Sequence, residues 1–510
     1  MFALKNLGKV YLVGAGPGDI GLITVKGMDC IKKADVIIYD RLINSDLLKY
    51  KKNGCEVIYV GKKSSNHILA QDKINQMILD KARAGLIVVR LKGGDPYVFG
   101  RGGEEAETLY NEKIDFEIVP GVTSAIAGLS YAGIPVTHRD FASSFHVVTG
   151  HAKEDDSLDI NWKSLAEEKG TVVFLMAIAN IAHISEMLIS NGRKADTPVA
   201  FVSWATRYNQ KTVISTLGNA QEVVSSGQIK APALFVVGNV VKLSNKLNFF
   251  QRKSMFGKTV LITRTRDKNS ELKKKIEELG ARVLEVPTIE ISKKCDVNEK
   301  IADLNFDKYN CIAFTSQNAV EYFFEILKEE KIDLRILAKI KIASIGKATS
   351  KAIEKYGIYP DIEADKFTGE GLSEKIIEIL GKENNSILFP CSEIATDVFE
   401  KKVLSSSNKV DRLEVYSNTI NFSIKDELIE MMKNEKIDYI TFTSSSTFKN
   451  LEELLGKDNI YLIENVKKVS IGDITSETIR KSACKVDIQA KIPSIDSVIE
   501  AIKEDIMHNR

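Results

Sequence analysis

Residues 91–105, Leu-Lys-Gly-Gly-Asp-Pro-Tyr-Val-Phe-Gly-Arg-Gly-Gly-Glu-Glu, crowd glycines, acids and bases into one short stretch. They follow the apolar run Leu86–Val89, which reads as a buried strand. A strand that empties into a Gly-rich, charged loop is where an α/β sheet holds its ligand, beyond the carboxyl ends of its strands. The glycines let backbone approach a bound molecule closely, and Asp95-Pro96 stiffens the loop. A flexible surface loop has a similar composition, so the neighbouring signals decide between the two. One is Pro120-Gly121-Val122-Thr123-Ser124-Ala125, which opens a small-residue helix whose N-terminus suits an anionic or polar group. Another is Gly14-Ala15-Gly16-Pro17-Gly18-Asp19, with an acid, Asp40, a little over twenty residues on. That pairing invites a dinucleotide reading, but the spacing is GxGxG and a proline stands where a helix should open. In the second half, Phe314-Thr315-Ser316 and Phe442-Thr443-Ser444-Ser445 each leave a strand and enter a helix. Hydroxyls and free N–H groups then point outward together, which suits several carboxylates or phosphates; each serine also reads as an ordinary N-cap.

These residues need an α/β frame. Val10–Val13, Val36–Tyr39, Glu56–Val60, Leu86–Val89 and Phe116–Val119 read as strands separated by helical spacing. Beyond Pro135 a second α/β lobe is expected, with strands at Ser144–Thr149, Thr171–Met176, Pro198–Val202 and Ala233–Val237, and with Met176 and Ala205 at strand ends. Leu243–Gly257 reads as a polar, basic linker around Phe249-Phe250. A fresh strand, Thr259–Thr263, follows. The remainder repeats itself: Phe314-Thr315-Ser316 recurs 128 residues later, Ser344-Ile345-Gly346 recurs as Ser470-Ile471-Gly472, 126 later, and Leu284-Glu285-Val286 recurs as Leu413-Glu414-Val415. A period this long is no solenoid; it signals two similar α/β lobes facing each other across a cleft.

At 510 residues the chain has room for three or four domains of ~150 residues. Hydrophobic and charged fractions of 44% and 27% are ordinary for a globular protein. A net charge of +2 gives no global argument for nucleic acid. Six scattered cysteines, without CxxC or zinc spacing, fit reduced thiols; none of the six histidines is placed in a ligand cluster, so no metal is expected. Met1–Lys5 lacks a signal-peptide core, and no apolar run is long enough to span a membrane, so a cytoplasmic location is expected.

Val10–Asp19 (VYLVGAGPGD), Tyr39–Leu42 (YDRL), Leu91–Glu105, Val119–Ala125, Gly133–Asp140 (GIPVTHRD) and Val148–His151 (VTGH) together resemble uroporphyrinogen-III C-methyltransferases. The resemblance covers about residues 8–250. It implies the tetrapyrrole-methylase fold, with lobes at about 1–118 and 119–245, S-adenosylmethionine held between them, and a homodimer formed through this half. The implied reaction is methylation of uroporphyrinogen III at C2 and C7 to precorrin-2. On the family's pattern Asp40 accepts the ring proton and Lys62 donates one, although Asp40 also reads as a cap or partner of Arg41 and Lys62 as a surface lysine. Cofactor positions would be Pro17, Gly93, Gly94, Asp95, Val98, Thr123, Ser124, Met176 and Ala205; Met176 also reads as core packing. Arg41, Lys92, Arg101 and Arg139 are candidates for the substrate's carboxylates.

About residues 257–505 resemble uroporphyrinogen-III synthases, on Val260–Arg264 (VLITR), Phe314–Ala319, Ile345-Gly346, Leu413–Tyr416 and Phe442–Ser446. That implies a linker at 246–257, an outer lobe from about 258–290 plus 420–510, and an inserted lobe at about 291–419. The implied activity is dehydration of hydroxymethylbilane, inversion of ring D and closure to uroporphyrinogen III, with no cofactor. Tyr416 aligns with the family's cleft tyrosine and would protonate the departing hydroxyl; hinge packing explains it equally well. Thr315, Ser316, Ser444 and Ser445 would meet substrate carboxylates. The loop Phe389–Ile394 departs from the family pattern in lacking an arginine after its strand.

The expected protein is thus a bifunctional enzyme of the route to sirohaem or cobalamin, acting on small tetrapyrroles with no nucleic-acid or membrane partner. One alternative is a methyltransferase fused to a non-catalytic two-lobed tetrapyrrole-binding module, which would bind without turnover. A nicotinamide-dependent dehydrogenase is disfavoured, because no second Gly-rich strand-turn fingerprint follows residue 250.

Overall fold

The computed structural model describes residues 7–61, 71–150, 160–263, 271–382 and 384–509. The chain divides into two compact units: residues up to Lys258 with Lys274–Arg282 and Ile506–Arg510, and Thr259–Lys273 with Val283–Asp505. Among the described residues no helix is long and apolar enough to cross a membrane.

The first unit opens with strands β1 (Lys9–Gly14), β2 (Val36–Tyr39), β3 (Glu56–Tyr59), β4 (Val88–Lys92) and β5 (Asp115–Val119). They form a parallel sheet in the order β3-β2-β4-β1-β5. Runs such as Val36-Ile37-Ile38 are apolar throughout because helices cover both faces, leaving side chains on each side buried. The sequence pattern ends the fourth strand at Val89, before its charged residues. In the structure it starts later and runs on through Arg90, Leu91 and Lys92, all buried. Two cations in a strand interior read as an exit to solvent; here a buried acid receives them.

Strands β6 (Phe145–Thr149), β7 (Thr171–Leu175), β8 (Pro198–Ser203), β9 (Lys211–Thr216) and β10 (Ala233–Val237) make the second sheet, in the order β6-β7-β10-β8-β9. Only β6 and β7 are parallel; β10 pairs antiparallel with β7 and β8, and β9 with β8. The half-exposed edge strand β9 has no counterpart in the sequence reading. The 246–257 stretch, read as a linker, is folded onto this unit. Phe250 and Met255 are buried, the Phe250 ring lies 4.7 Å from that of Tyr131, and Ser244 Oγ donates to Ala132 O at 2.6 Å.

In the second unit β11 (Thr259–Ile262), β12 (Arg282–Glu285) and β13 (Ile289–Lys293) come first. The inserted lobe follows with β14 (Cys311–Phe314), β15 (Lys341–Ser344), β16 (Ile362–Glu363), β17 (Ser386–Ser392) and β18 (Lys409–Ile420). The chain then returns with β19 (Tyr439–Phe442), β20 (Lys467–Ser470) and β21 (Ile488–Gln489). One sheet runs β12-β11-β19-β20-β21, the other β13-β18-β17-β14-β15-β16. Twelve-residue β18 pairs antiparallel with β13 from Ile289↔Ile420 to Lys293↔Tyr416, forming a two-stranded connection at the lobe junction.

The internal repeat extends to single hydrogen bonds. Ser344 Oγ lies 2.7 Å from Ser350 Oγ, which donates to the Glu363 carboxylate. Ser470 Oγ lies 2.6 Å from Ser476 Oγ, which donates to Gln489 Oε1. Asp361 accepts from Ile342 N, and Asp487 from Lys468 N. Each partner recurs 126 residues later, so both lobes brace the same strand-to-helix turn in the same way.

Candidate functional site

In the first unit the carboxyl ends of β1, β4 and β5 meet backbone to backbone. Ala15 N donates to Lys92 O at 2.7 Å, and Gly16 and Gly94 exchange N–H···O bonds of 3.1 and 2.8 Å. A Cβ on Gly14 would stand 2.6 Å from Gly121 Cα, and one on Gly121 only 2.3 Å from Gly94 O. Glycine is therefore required at Gly14 and Gly121 by space, and favoured at Gly94 by its φ of +70°. Asp95 fastens the loop: Oδ2 accepts from Gly121 N at 3.0 Å, and Oδ1 from Tyr97 N and Val98 N at 2.8 and 3.2 Å. A Cβ on Gly94 would sit 3.8 Å from Thr123 Cα and 3.9 Å from Ser124 N, so Gly93, Gly94, Asp95, Thr123 and Ser124 gather at one place. Thr123 caps the helix Ser124–Tyr131.

Met176 lies just past β7 and Ala205 just past β8. Met176 is half exposed with φ of 57°, which excludes core packing; Ala205 is buried between Trp204 and Thr206, at φ of 47° and 67°. Left-handed backbone at non-glycine residues is strained and clusters at ligand sites. The two lobes are fastened beside these turns. Asp19 N donates to Thr206 Oγ1 at 2.9 Å, Tyr131 OH donates to Asp19 Oδ2 at 2.7 Å, and Arg207 donates to Leu42 O and Ile43 O at 2.8 and 3.0 Å. Burial with the Asp19 bond pushes the Tyr131 phenol well above its ordinary range. Pro17 is half-buried, two residues before Asp19.

Asp40 follows β2. Its Oδ1 accepts from Leu42 N at 3.0 Å, and Oδ2 lies 3.6 Å from Arg90 Nη2, so the arginine facing it is Arg90 rather than exposed Arg41. Arg90 and Lys92, alternate residues of β4, both reach Glu105 Oε1, at 3.2 and 2.8 Å. Lys92 is therefore not available to a substrate carboxylate: it is buried and paired. Burial pulls its ammonium below the usual lysine range, with Arg90 adding and Glu105 opposing. Arg101 is exposed and forked onto Glu104, and Arg139 is exposed in the turn between His138 and Ala142, ahead of β6. Lys62 lies outside the described residues. Sequence reasoning missed Arg90 and Glu105; two cations at alternate positions inside an apolar run, followed by paired glutamates, were the signal available.

In the second unit the Tyr416 ring is buried and stacked on Tyr322, 5.7 Å between centroids, within strand β18. Its hydroxyl is 3.2 Å from Ser316 Oγ, which also accepts from Ala319 N at 3.1 Å and so caps the helix Gln317–Glu329. Thr315 is half-buried beside it. In the matching turn Ser444 bonds Ser446 at 2.9 Å, and Ser445 Oγ donates to Ile474 O at 3.2 Å. The loop Phe389–Ile394, which carries no arginine, is braced by one from β18. Arg412 Nη2 donates to Ser392 O, Glu393 O and Ala395 O at 3.0, 3.0 and 3.2 Å, holding that loop from behind.

Residues 9–221 match the family model of tetrapyrrole (corrin/porphyrin) methylases, and residues 270–500 that of uroporphyrinogen-III synthase HemD. A porphyrin biosynthesis protein HemD of Ruminiclostridium josui is 39% identical over 98% of this chain and 98% of its own. A uroporphyrinogen-III C-methyltransferase of Bacillus subtilis is 42% identical over 71% of this chain and 75% of its own. Another, from Priestia megaterium, is 50% identical over 47% of this chain and all of its own. The two halves thus define a methylase joined to a synthase-type module. The chain belongs to the family of tetrapyrrole-biosynthesis proteins that fuse a uroporphyrinogen-III C-methyltransferase to a HemD-type uroporphyrinogen-III synthase half.

Proposed function

We propose that this chain is a bifunctional enzyme whose second half closes hydroxymethylbilane to uroporphyrinogen III, with inversion of ring D, and whose first half methylates that product at C2 and C7 to precorrin-2. The observation that carries the reading is the convergence of three strand ends on Gly14, Gly94 and Gly121, with Asp40 at the neighbouring strand end and Met176 and Ala205 on strained turns of the second lobe. The Cβ positions of Gly14 and Gly121 are filled by facing backbone, which packs the three strand ends together. The Cβ side of Gly94 is uncrowded, 3.8 Å from Thr123 Cα, and fits an extended cofactor such as S-adenosylmethionine. That cofactor supplies an electrophilic methyl group when bound, and its transfer to carbon needs alignment more than added charge. Pro17, Gly93, Gly94, Asp95, Val98, Thr123, Ser124, Met176 and Ala205 are assigned to holding it. Asp40, fixed by Leu42 N and Arg90, takes the proton released from the methylated pyrrole carbon, with Lys62 as the donor. Arg41, Arg101 and Arg139 meet the substrate's carboxylates.

For the second half, Tyr416 hydrogen-bonded to Ser316 is assigned to the departing hydroxyl, and Thr315, Ser316, Ser444 and Ser445 to substrate carboxylates. The halves divide close to residue 258, and the first half is assigned the homodimer contact. Methyl transfer to uroporphyrinogen III supplied directly, under anaerobic conditions with labelled S-adenosylmethionine, tests the first assignment. Two methyl groups per product are expected, with Asp40→Asn slowed at least a hundredfold; an unaffected Asp40→Asn would remove Asp40 from the chemistry.

A further inference from the structure

We propose that Glu105 is a positioning residue of the methyltransferase site, tying Asp40 and the Gly93-Gly94 turn together through Arg90 and Lys92. The inference rests on the methyltransferase reading, with Asp40 as proton acceptor.

Glu105 stands on the helix Gly102–Asn111 with its side chain wholly out of solvent. Its Oε1 accepts from Lys92 Nζ at 2.8 Å, Arg90 Nε at 3.2 Å and Gln71 Nε2 at 3.2 Å. Among the described residues its Oε2 has no hydrogen-bond partner. A carboxylate present only to neutralise two cations would divide them between its oxygens. Drawing all three donors to one oxygen sets the cations in a fixed geometry instead. Such an ionic group is costly to bury, and apolar residues of similar volume would commonly serve stability as well.

Each cation leads to a working part. The Arg90 guanidinium spans from Glu105 to Asp40: Nη1 donates to Ile38 O and Leu91 O at 3.4 and 3.2 Å, and Nη2 faces Asp40 Oδ2 at 3.6 Å. With Leu42 N on its other oxygen, Asp40 is oriented at both ends. Lys92 carries the carbonyl that receives Ala15 N, one residue before the glycine pair that bonds Gly16. Its anchored ammonium therefore fixes the start of the cofactor turn. Two acids and two bases balance; without the Glu105 charge, excess positive charge would sit beside Asp40 and draw it toward Arg90.

The test compares wild type, Glu105→Gln, Asp40→Asn and the double variant in full-length chain. It reads anaerobic methylation of uroporphyrinogen III with labelled S-adenosylmethionine. Glu105→Gln is expected to lower kcat at least tenfold with both KM values within threefold and a cooperative thermal transition retained. In the Asp40→Asn background the same change should cost less than twofold, because the two act as one unit. Wild-type kcat in Glu105→Gln, or an equal loss in both backgrounds, would overturn the proposal. Should Glu105→Gln not fold, Gln71→Leu removes one neutral donor from Oε1 and leaves the charges. It should lower kcat about threefold, again only when Asp40 is present; no loss, or equal loss in both backgrounds, would overturn it. A wild-type chain that transfers no methyl group would instead sink the methyltransferase reading.

Discussion

Replacing Gly121 with alanine adds one methyl group where the ends of β1, β4 and β5 cross. The new Cβ would stand 2.3 Å from Gly94 O and 2.7 Å from Gly14 Cα. Ordinary contact between such atoms begins near ~3.5 Å, so one backbone segment must move by roughly 1 Å. All the atoms met are main chain, so no rotamer change relieves the overlap. The loop after β4 accepts a 3.0 Å bond from Gly121 N at Asp95 and is paired to Gly16 through Gly94, so moving it disturbs both attachments. Overpacking of this kind costs about 1–3 kcal/mol. Taken from cofactor binding, that is a rise of about 5- to 150-fold in Kd. Isothermal titration with S-adenosylmethionine reads it directly. Gly103→Ala is the control, since a Cβ there meets nothing within 4 Å. Binding by Gly121→Ala within twofold of wild type would refute the assignment of this crossing to the cofactor.

Three further outcomes are expected. Tyr131→Phe removes the donor to Asp19 Oδ2 and should destabilise the first unit by about 1–2 kcal/mol in urea unfolding; an unchanged midpoint would show that the lobes are not fastened there. Glu363→Gln should be neutral within about 0.5 kcal/mol, because Gln489 fills the same place in the repeat, whereas Glu363→Ala should cost about 1–2 kcal/mol; equal losses would contradict the shared bracing. Burial pushes the Cys311 and Cys391 thiols up to about 12 from 9.0, so at pH 8 they should resist a disulfide reagent that modifies exposed Cys295 quickly. A raised thiol pKa favours the fold fully below the unfolded value, so their contribution should fade as pH rises from 9 toward 12.

Local pattern carried the strands, because each buried strand is a short apolar run bounded by turn residues, and it carried the repeat, because both lobes use the same Ser-Ile-Gly turn. It misplaced the end of β4. Arg90 and Lys92 look like an exit to solvent until Glu105, thirteen residues beyond Lys92, is brought over them by the helix that follows the loop. Arg412 was invisible for a similar reason: it reaches from a neighbouring strand to the carbonyl of Ser392, twenty residues earlier. The Asp19–Tyr131–Thr206 fastening joins residues more than a hundred positions apart. Such pairings depend on which elements become neighbours, and nothing in a local window specifies that. Motif resemblance singled out the glycine loops; the buried charges behind them needed the fold.

In the proposed function one chain both makes and methylates uroporphyrinogen III. Anaerobic incubation of the pure protein with hydroxymethylbilane, with and without S-adenosylmethionine, followed by isomer analysis, tests it most directly. The type III isomer is expected without the methyl donor and a dimethylated product with it. Only the type I isomer, the outcome of spontaneous closure, would contradict a working synthase half and leave a tetrapyrrole-binding module in its place.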